Sequence, residues 1–149
     1  MAFSGHEKPN KGMTDTWLTP PWLLERLGNF DLDPCPPNGN DGLEIEWKGR
    51  VWLNPPYSKN ELFMKKMSEH RNGIALVFAR TETKWFQNYV FPYADSILFF
   101  NKRLKFYTIE MIESKGNAGA PSVLISYTKK DSEYLSQMHD LGFFIKLKE

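Results

Sequence analysis

The chain has 149 residues, a length typical of one domain with a sizeable hydrophobic core. Its 41% hydrophobic and 25% charged residues are typical of a globular protein. The net charge of +1 is too small for the overall charge of the chain to indicate a nucleic-acid partner. The single cysteine, Cys35, excludes an internal disulfide and fits a reducing compartment, and no apolar run approaches the roughly 18 residues that would predict a membrane span.

The first thirty residues predict a polar arm followed by a short helix. Residues 1–15 are polar and contain glycine and proline, so we expect a flexible arm ahead of a single domain over residues 16–149. The arm has no apolar stretch typical of a secretory signal, which favours a cytoplasmic protein. Thr19 is predicted to cap the helix, with prolines in its first turn and Gly28 just past its end.

Strand and helix patterns alternate through the rest of the chain. Residues 74–79 form a continuous apolar run, the pattern of a strand buried on both faces. Ser58 and Glu61 have the spacing of a capping box, which predicts a helix that ends at Gly73. The alternation argues for an α/β fold with a mainly parallel sheet, helices on both faces and an antiparallel strand at one edge. The predicted strands are 30–33, 51–53, 74–79, 96–100, 123–127 and 143–147, and the later helices are 58–71, 83–90 and 131–139.

The tetrapeptide Asn54-Pro55-Pro56-Tyr57 directly follows the short apolar run at residues 51–53. Two consecutive prolines cannot continue a strand or enter a helix interior, so the chain must leave the sheet there. Asn54 and Tyr57 are therefore expected on a stiff loop at the carboxyl end of a strand, where open α/β sheets bind their ligands. The alternative is an ordinary turn after an edge strand.

Two shorter motifs precede this loop. Thr19-Pro20 opens the first helix, and Asp33-Pro34 ends the candidate strand at residues 30–33. Their order before Asn-Pro-Pro-Tyr resembles that of gamma-type amino-group methyltransferases. From about residue 14 to residue 127 the chain resembles the phage and prophage Dam-like family of DNA N6-adenine methyltransferases, through the segments TDTWLTP, FDLDPC, DGLEIEW, GRVWLNPPYS, GIALVFARTETKWF and APSVLISY.

The resemblance implies a minimal Rossmann-like methyltransferase sheet, S-adenosylmethionine as methyl donor and adenine N6 in double-stranded DNA as acceptor. That nitrogen is a poor nucleophile because its lone pair is delocalised into the ring. An asparagine oxygen and a proline carbonyl can accept its two N–H groups and free the lone pair, and a tyrosine can stack on the flipped base. By the resemblance the catalytic residues are Asn54, Pro55, Pro56 and Tyr57, and the cofactor-binding residues are Thr19, Pro20, Asp33, Pro34 and Asp41. A role in protection from host restriction is a further expectation.

The chain departs from larger adenine methyltransferases on the cofactor side. Only 20 residues separate Asp33 from Asn54, where those enzymes place two more strands, a helix and an acidic residue for the cofactor ribose. Asp41 is our choice for that acid over Glu44 and Glu46. The shortened region favours weak cofactor affinity or a different hold on the adenosine.

Two further segments suggest contact with nucleic acid. Arg80 follows the buried strand at residues 74–79 and is expected beside the same crevice, where it either contacts the target strand or is a solvated arginine next to a helix cap. Lys102, Arg103 and Lys105 alternate with apolar and aromatic residues, which suits either a nucleic-acid groove or a strand edge guarded by lysine. The three histidines have no metal-ligand spacing, so we expect no metal.

Three alternative functions remain open at this point. An Asn-Pro-Pro-Tyr loop serves planar amines and amides alike, so an RNA methyltransferase and a protein-amide methyltransferase are the nearest rivals. The shortened cofactor region also fits a DNA-binding relative that has lost catalysis.

Overall fold

The computed structural model describes residues 18–36, 41–107, 113 and 119–149. The expected N-terminal arm, residues 1–15, lies outside the described residues, as does most of the loop expected over residues 110–121. The helices of the described part are α1 (Pro21–Arg26), α2 (Asn60–His70), α3 (Lys84–Tyr89) and α4 (Lys129–Ser136). Its strands are β1 (Val51–Leu53), β2 (Gly73–Phe78), β3 (Ser96–Phe100), β4 (Ser122–Ser126) and β5 (Gly142–Lys146).

The five strands form one mixed sheet in the order β1-β2-β4-β3-β5. β1 and β2 pair in parallel, whereas β4 is antiparallel to both of its neighbours and β5 is antiparallel to β3. The α/β class and the Rossmann-like arrangement are therefore confirmed, but the expectation of a mainly parallel sheet is wrong. Antiparallel pairing is found at the edge, where β5 lies as expected, and also inside the sheet, where β4 lies between β2 and β3. Because β1, β2 and β3 still run in one direction, their carboxyl ends meet at one edge of the sheet.

The strand predicted at residues 30–33 is reduced to a single parallel bridge between Leu32 and Val51. The backbone N–H of Asp31 donates to the Arg50 carbonyl at 2.7 Å, and that of Trp52 donates to the Leu32 carbonyl at 2.9 Å. Since the bridge is parallel, Asp33 leaves the sheet at the same edge as the residues that follow β1.

The hydrophobic core lies on both faces of the central strands. Every residue of β2 and of β4 is buried, which requires cover on both faces and confirms that expectation. Each helix contributes a fully buried side chain, and these include Leu23, Met64, Phe86 and Leu135. This packing makes the carboxyl edge of the sheet a rigid platform for the loops that leave it.

The helix ends differ from the sequence prediction in several places. Pro20 rather than Thr19 caps α1, and it does so without a side-chain hydrogen bond, because the Thr19 side chain is directed elsewhere. The predicted capping box at Ser58 does not form, since residues Tyr57–Lys59 make a 3₁₀ turn and α2 begins at Asn60. Helix α2 ends at a left-handed Arg71, and Gly73 already belongs to β2. By contrast, Thr83 caps α3 and its hydroxyl accepts from the Phe86 N–H.

Candidate active site

The Asn-Pro-Pro-Tyr loop leaves the carboxyl end of β1, as predicted. Pro55 is buried and Asn54 is half-buried. The two prolines end the strand, and a 3₁₀ turn then leads into α2. The Asn54 side-chain Nδ2 donates a hydrogen bond to Thr19 Oγ1 at 3.0 Å. Thr19 is itself only 6% exposed. Two of the residues chosen from separate motifs, 35 positions apart, thus meet directly.

Tyr57 presents an aromatic surface beside Asn54. It is 42% exposed, and its ring centroid lies 6.3 Å from that of Phe78, the last residue of β2. Both rings line a pocket of about 310 Å³ that also includes Arg80 and Trp85. A volume near 300 Å³ is at the lower end of small-ligand sites. The pocket has aromatic side chains in its wall together with the cation of Arg80 and the carboxylates of Glu61 and Glu82.

Arg80 is half-buried in that wall rather than solvated. Its Nε is buried and makes no hydrogen bond, while its backbone N–H donates to the Phe78 carbonyl at 2.8 Å. A buried donor without an acceptor is uncommon in folded proteins and marks a position where a ligand acceptor would be stabilising. The structure thus brings Arg80 to the Asn54 loop, as the sequence predicted.

The proposed cofactor side begins with Asp33 and Pro34. The Asp33 carboxylate accepts from the Cys35 N–H at 2.9 Å, and Pro34 is buried. Desolvation raises the pKa of Asp33 above its ordinary value, and the hydrogen bond from Cys35 opposes that rise. Burial raises the pKa of the Cys35 thiol to about 12, helped by the negative charges of Asp33 and Asp41. Both carboxylates therefore lie within electrostatic range of the thiol.

Residues 41–47 form a compact loop that packs against Pro34. A Cβ added to Gly42 would lie 1.9 Å from the Pro34 carbonyl oxygen, so only glycine allows this approach. The Asp41 carboxylate accepts from the Leu43 N–H at 2.9 Å, and the Trp47 indole N–H donates to the Gly42 carbonyl at 2.8 Å. The loop thereby holds Asp41 beside the Asp33 segment.

Lys66 of α2 binds the backbone of this loop, a contact that no sequence pattern indicated. Its Nζ donates to the carbonyls of Leu43, at 3.0 Å, and of Ile45, and is 3.5 Å from the Gly42 carbonyl. The same ammonium lies 5.3 Å from the Trp47 ring centroid. An ammonium shared among three carbonyls and a ring holds the loop at several points.

Asp31 and Asp33 have separate positions. The Asp31 carboxylate accepts from the Arg50 N–H at 2.8 Å and occupies the turn at Gly49, whose φ is +72°. A Cβ at Gly49 would lie 2.4 Å from that carboxylate. Asp31 is thus part of the turn, which leaves Asp33 as the acid at the carboxyl edge.

The segment with Lys102, Arg103 and Lys105 follows β3 and lines a groove of about 820 Å³. The three basic residues are exposed, whereas Leu104 and Phe106 between them are buried. The segment ends in a bridge between Tyr107 and Leu18, with N···O distances of 2.8 and 3.0 Å. Because Leu18 precedes Thr19, this bridge links the basic segment through the backbone to the residue that contacts Asn54.

Trp22 lies in the wall of this basic groove and was not selected from the sequence. It is 41% exposed on α1, although tryptophan is usually well covered. Its sequence signal is its position next to Leu23, the buried residue of α1, which leaves Trp22 off the buried face of the helix.

The described residues contain no cluster of three or more His, Cys, Asp or Glu side chains that could hold a metal ion. Within the same ranges no helix is long and apolar enough to cross a membrane.

Comparison with known proteins assigns the family. The family model described as DNA N-6-adenine-methyltransferase (Dam) matches residues 6–140. The chain belongs to this family. It is 28% identical over 152 residues to the DNA N-6-adenine-methyltransferase of Haemophilus phage HP1 (strain HP1c1), a match that covers 87% of this chain and 86% of that protein. It is 33% identical over 105 residues to the DNA N-6-adenine-methyltransferase of Escherichia phage T1, over 56% of this chain and 44% of that one. No solved structure matches the chain.

The Dam match confirms the family inferred from the order of the three motifs. It extends over Thr19, Asp33, Asn54 and the basic residues of the groove, and it continues past α4 to residue 140. The roles of the individual residues stay predictions, which the geometry above makes specific.

Proposed function

We propose that this Dam-family chain transfers a methyl group from S-adenosylmethionine to the N6 amino group of adenine in DNA, with Asn54 as the central catalytic residue. The observation that carries the proposal is the bonded Asn54 amide on the proline-stiffened loop after β1. It stands at the edge of the sheet where three strands end and where α/β sheets bind their ligands.

Asn54 and Pro55 would act on the amino group through hydrogen bonds. The Asn54 Nδ2 donates to Thr19, so the acceptor end of the amide, Oδ1, is directed away from Thr19. If Oδ1 and the Pro55 carbonyl each accept one N–H of the amine, the nitrogen lone pair is drawn out of conjugation and directed at the methyl group. Such preorganised acceptors act by orientation and electrostatics and need no covalent intermediate.

Tyr57 would hold the flipped adenine. Its exposed ring and the neighbouring Phe78 offer a stacking surface, and the pocket they share has room for a base. The buried Nε of Arg80 would find its acceptor on the substrate, either a ring nitrogen or a phosphate oxygen.

The residues on the cofactor side fit S-adenosylmethionine in chemistry. That molecule carries an ammonium and a sulfonium, and it supplies an electrophilic methyl group when bound. Asp33 offers a partly desolvated carboxylate on the same edge as Asn54, and Asp41 offers a second carboxylate for the ribose hydroxyls. Pro20 and Pro34 would complete the wall by packing. The short loop at residues 41–47 would replace the longer region of larger enzymes.

The basic groove would bind the backbone of double-stranded DNA next to the target base. Lys102, Arg103 and Lys105 supply cations, and the exposed Trp22 supplies a stacking surface. Removing one cation that binds a phosphate should lower the slope of log affinity against log salt by about 1. Lys102→Ala with Lys105→Ala should therefore weaken binding to all DNA sequences and lower that slope by about 2. We place this activity in the cytoplasm, where host and phage DNA are accessible.

The test is methyl transfer from labelled S-adenosylmethionine to unmethylated DNA by the parent, by Asn54→Ala and by Asn88→Ala. Asn88 is an exposed asparagine on α3 and serves as the matched control. We expect N6-methyladenine from the parent and the control, and a loss of about 100-fold or more for Asn54→Ala.

Other outcomes would redirect the proposal. Transfer to RNA or to a protein amide in place of DNA would make the chain one of the rival methyltransferases. DNA binding without any transfer by the parent would support an inactive relative.

A further inference from the structure

We propose that Thr19 is a positioning residue for catalysis: its buried hydroxyl fixes the Asn54 amide so that Oδ1, and not Nδ2, faces the target amine. The inference rests on the proposed function of Asn54. It gives Thr19 a different task from the cofactor contact that the motif order suggested.

The geometry of the pair is that of a buried orienting contact. Asn54 Nδ2 donates to Thr19 Oγ1 at 3.0 Å, within the usual range for an N–H···O hydrogen bond. Thr19 is 6% exposed, so water does not readily replace its hydroxyl as the acceptor. A hydrogen bond in such surroundings is strengthened by the low dielectric, and its loss leaves a polar group without compensation.

Thr19 is held firmly enough to orient another side chain. On one side Leu18 makes both backbone hydrogen bonds of the bridge to Tyr107. On the other side Pro20 caps α1, and its carbonyl accepts from the Leu23 N–H at 3.0 Å. Leu23 is fully buried and fixes the helix to the core. The hydroxyl is therefore anchored through the backbone in both directions.

The direction of the Asn54 amide decides whether it can activate an amine. An asparagine side chain has a donor end and an acceptor end of nearly the same shape. Adenine N6 presents two N–H donors, so only the acceptor end can draw them away from the ring. With Nδ2 towards the substrate, donor would face donor and the loop would disfavour the transition state. In the structure Thr19 Oγ1 accepts from Nδ2, which is the productive direction because it leaves Oδ1 for the amine.

The cofactor role and the positioning role predict different kinetics. A residue that contacts S-adenosylmethionine changes its KM and its dissociation constant. A residue that orients Asn54 changes kcat and leaves both cofactor constants unchanged, because the interaction is expressed only in the transition state. The two roles can therefore be separated in one set of variants.

The experiment compares the parent with Thr19→Val and Thr19→Ser in steady-state methyl transfer to DNA, with S-adenosylmethionine affinity measured by calorimetry. Valine keeps the shape and removes the hydroxyl, whereas serine keeps the hydroxyl. We expect kcat of Thr19→Val to fall about tenfold or more, with the KM and Kd for S-adenosylmethionine within about twofold of the parent. Thr19→Ser should stay within about threefold of the parent in every constant.

The melting temperatures of all variants are measured to distinguish a loss of kcat from a loss of folded protein. If Thr19→Val does not fold, Thr19→Cys, whose thiol is a much weaker acceptor, takes its place with the same expected loss of kcat. A second readout is the Asn54 side-chain NH₂ signal in ¹⁵N spectra, assigned by its absence in Asn54→Ala. This signal should exchange slowly in the parent and in Thr19→Ser, and faster in Thr19→Val.

Three results would overturn the inference. An unchanged or higher kcat for Thr19→Val would show that the hydroxyl does not set a productive amide. A raised KM and Kd for S-adenosylmethionine with kcat intact would return Thr19 to the cofactor. A parent protein without transfer activity would remove the proposed function itself, and the parent control identifies that failure separately.

Discussion

Replacing Arg50 by methionine is expected to lower the free energy of unfolding by about 3 to 5 kcal/mol, since it leaves a buried carboxylate without its partner. Arg50 Nε lies 2.5 Å from Asp131 Oδ1, and the two side chains are only 11% and 2% exposed. The guanidinium also lies between two aromatic rings, 4.0 Å from the Phe30 centroid and 4.5 Å from that of Tyr134. Its NH1 donates to the Asn29 carbonyl at 3.0 Å.

These contacts join α4 to the segment that leads to Asp33, so the substitution is also expected to disturb the proposed cofactor side of the site. With roughly 2 to 4 °C of melting temperature per kcal/mol for a chain of this size, the expected shift is about 10 °C. Denaturant unfolding of the parent, Arg50→Met, Asp131→Asn and the double variant would give the coupling energy. We expect the double variant to lose less stability than the sum of the two single losses.

The exposed ion pair of Arg26 and Asp140 is the matched control. Its two hydrogen bonds of 2.8 and 3.0 Å are bidentate, yet the side chains are 36% and 56% exposed. Arg26→Met should therefore lower stability by less than about 1 kcal/mol. A loss from Arg50→Met no larger than that from Arg26→Met would refute the reasoning, because burial would then add nothing to the pair.

Three further predictions concern the loop, the stacking ring and the acid side of the stability curve. Lys66→Met should raise the KM for S-adenosylmethionine several-fold and leave kcat unchanged, because it removes about 1.5 to 3 kcal/mol of charge-assisted bonding to residues 41–47. An unchanged KM in steady-state kinetics would show that this loop does not bind the cofactor. Tyr57→Ala should weaken DNA binding by about 1 to 3 kcal/mol while Tyr57→Phe stays close to the parent, and equal defects in a DNA-binding assay would contradict stacking. Burial alone would raise the pKa of Asp95, but hydrogen bonds from Lys146 and Ser132 hold it below the ordinary 3.8. The stability that Asp95 contributes is present above its unfolded pKa and is lost as pH falls through its lower folded pKa. Asp95→Asn should therefore reduce the fall of the urea-unfolding midpoint at acid pH. An unchanged fall would argue against the pairing of Asp95 with Lys146.

Much of the local structure was predictable because local composition decides it. Residues 96–100 are apolar after the first, and β3 has those bounds. The run beginning at Ile74 forms β2, and the patterned segment after Asn60 forms α2. The Asn-Pro-Pro-Tyr loop lies at a strand end because two prolines exclude any other continuation.

The pairing of the strands was not predictable in the same way. β4 inserts antiparallel between β2 and β3, although nothing in its own five residues distinguishes it from a parallel strand. Strand direction depends on the length and course of the connections and on long-range packing, which no window of sequence contains. The strand predicted at residues 30–33 likewise shrinks to one bridge, since its only partner among the described strands, β1, is three residues long.

The sequence by itself determined the chemistry available at this protein's carboxyl edge: an amide and a tyrosine on a stiff loop, an acid before a proline and a basic segment with aromatics. Only the tertiary structure decided which of these groups meet. It joins Thr19 to Asn54 across 35 positions, Arg50 to Asp131 across 81, and Lys66 to the loop of Asp41. The physical reason is that residue type and spacing set local backbone preference, whereas the direction of a buried amide or the partner of a buried charge depends on contacts between distant segments, made only when the sheet is assembled.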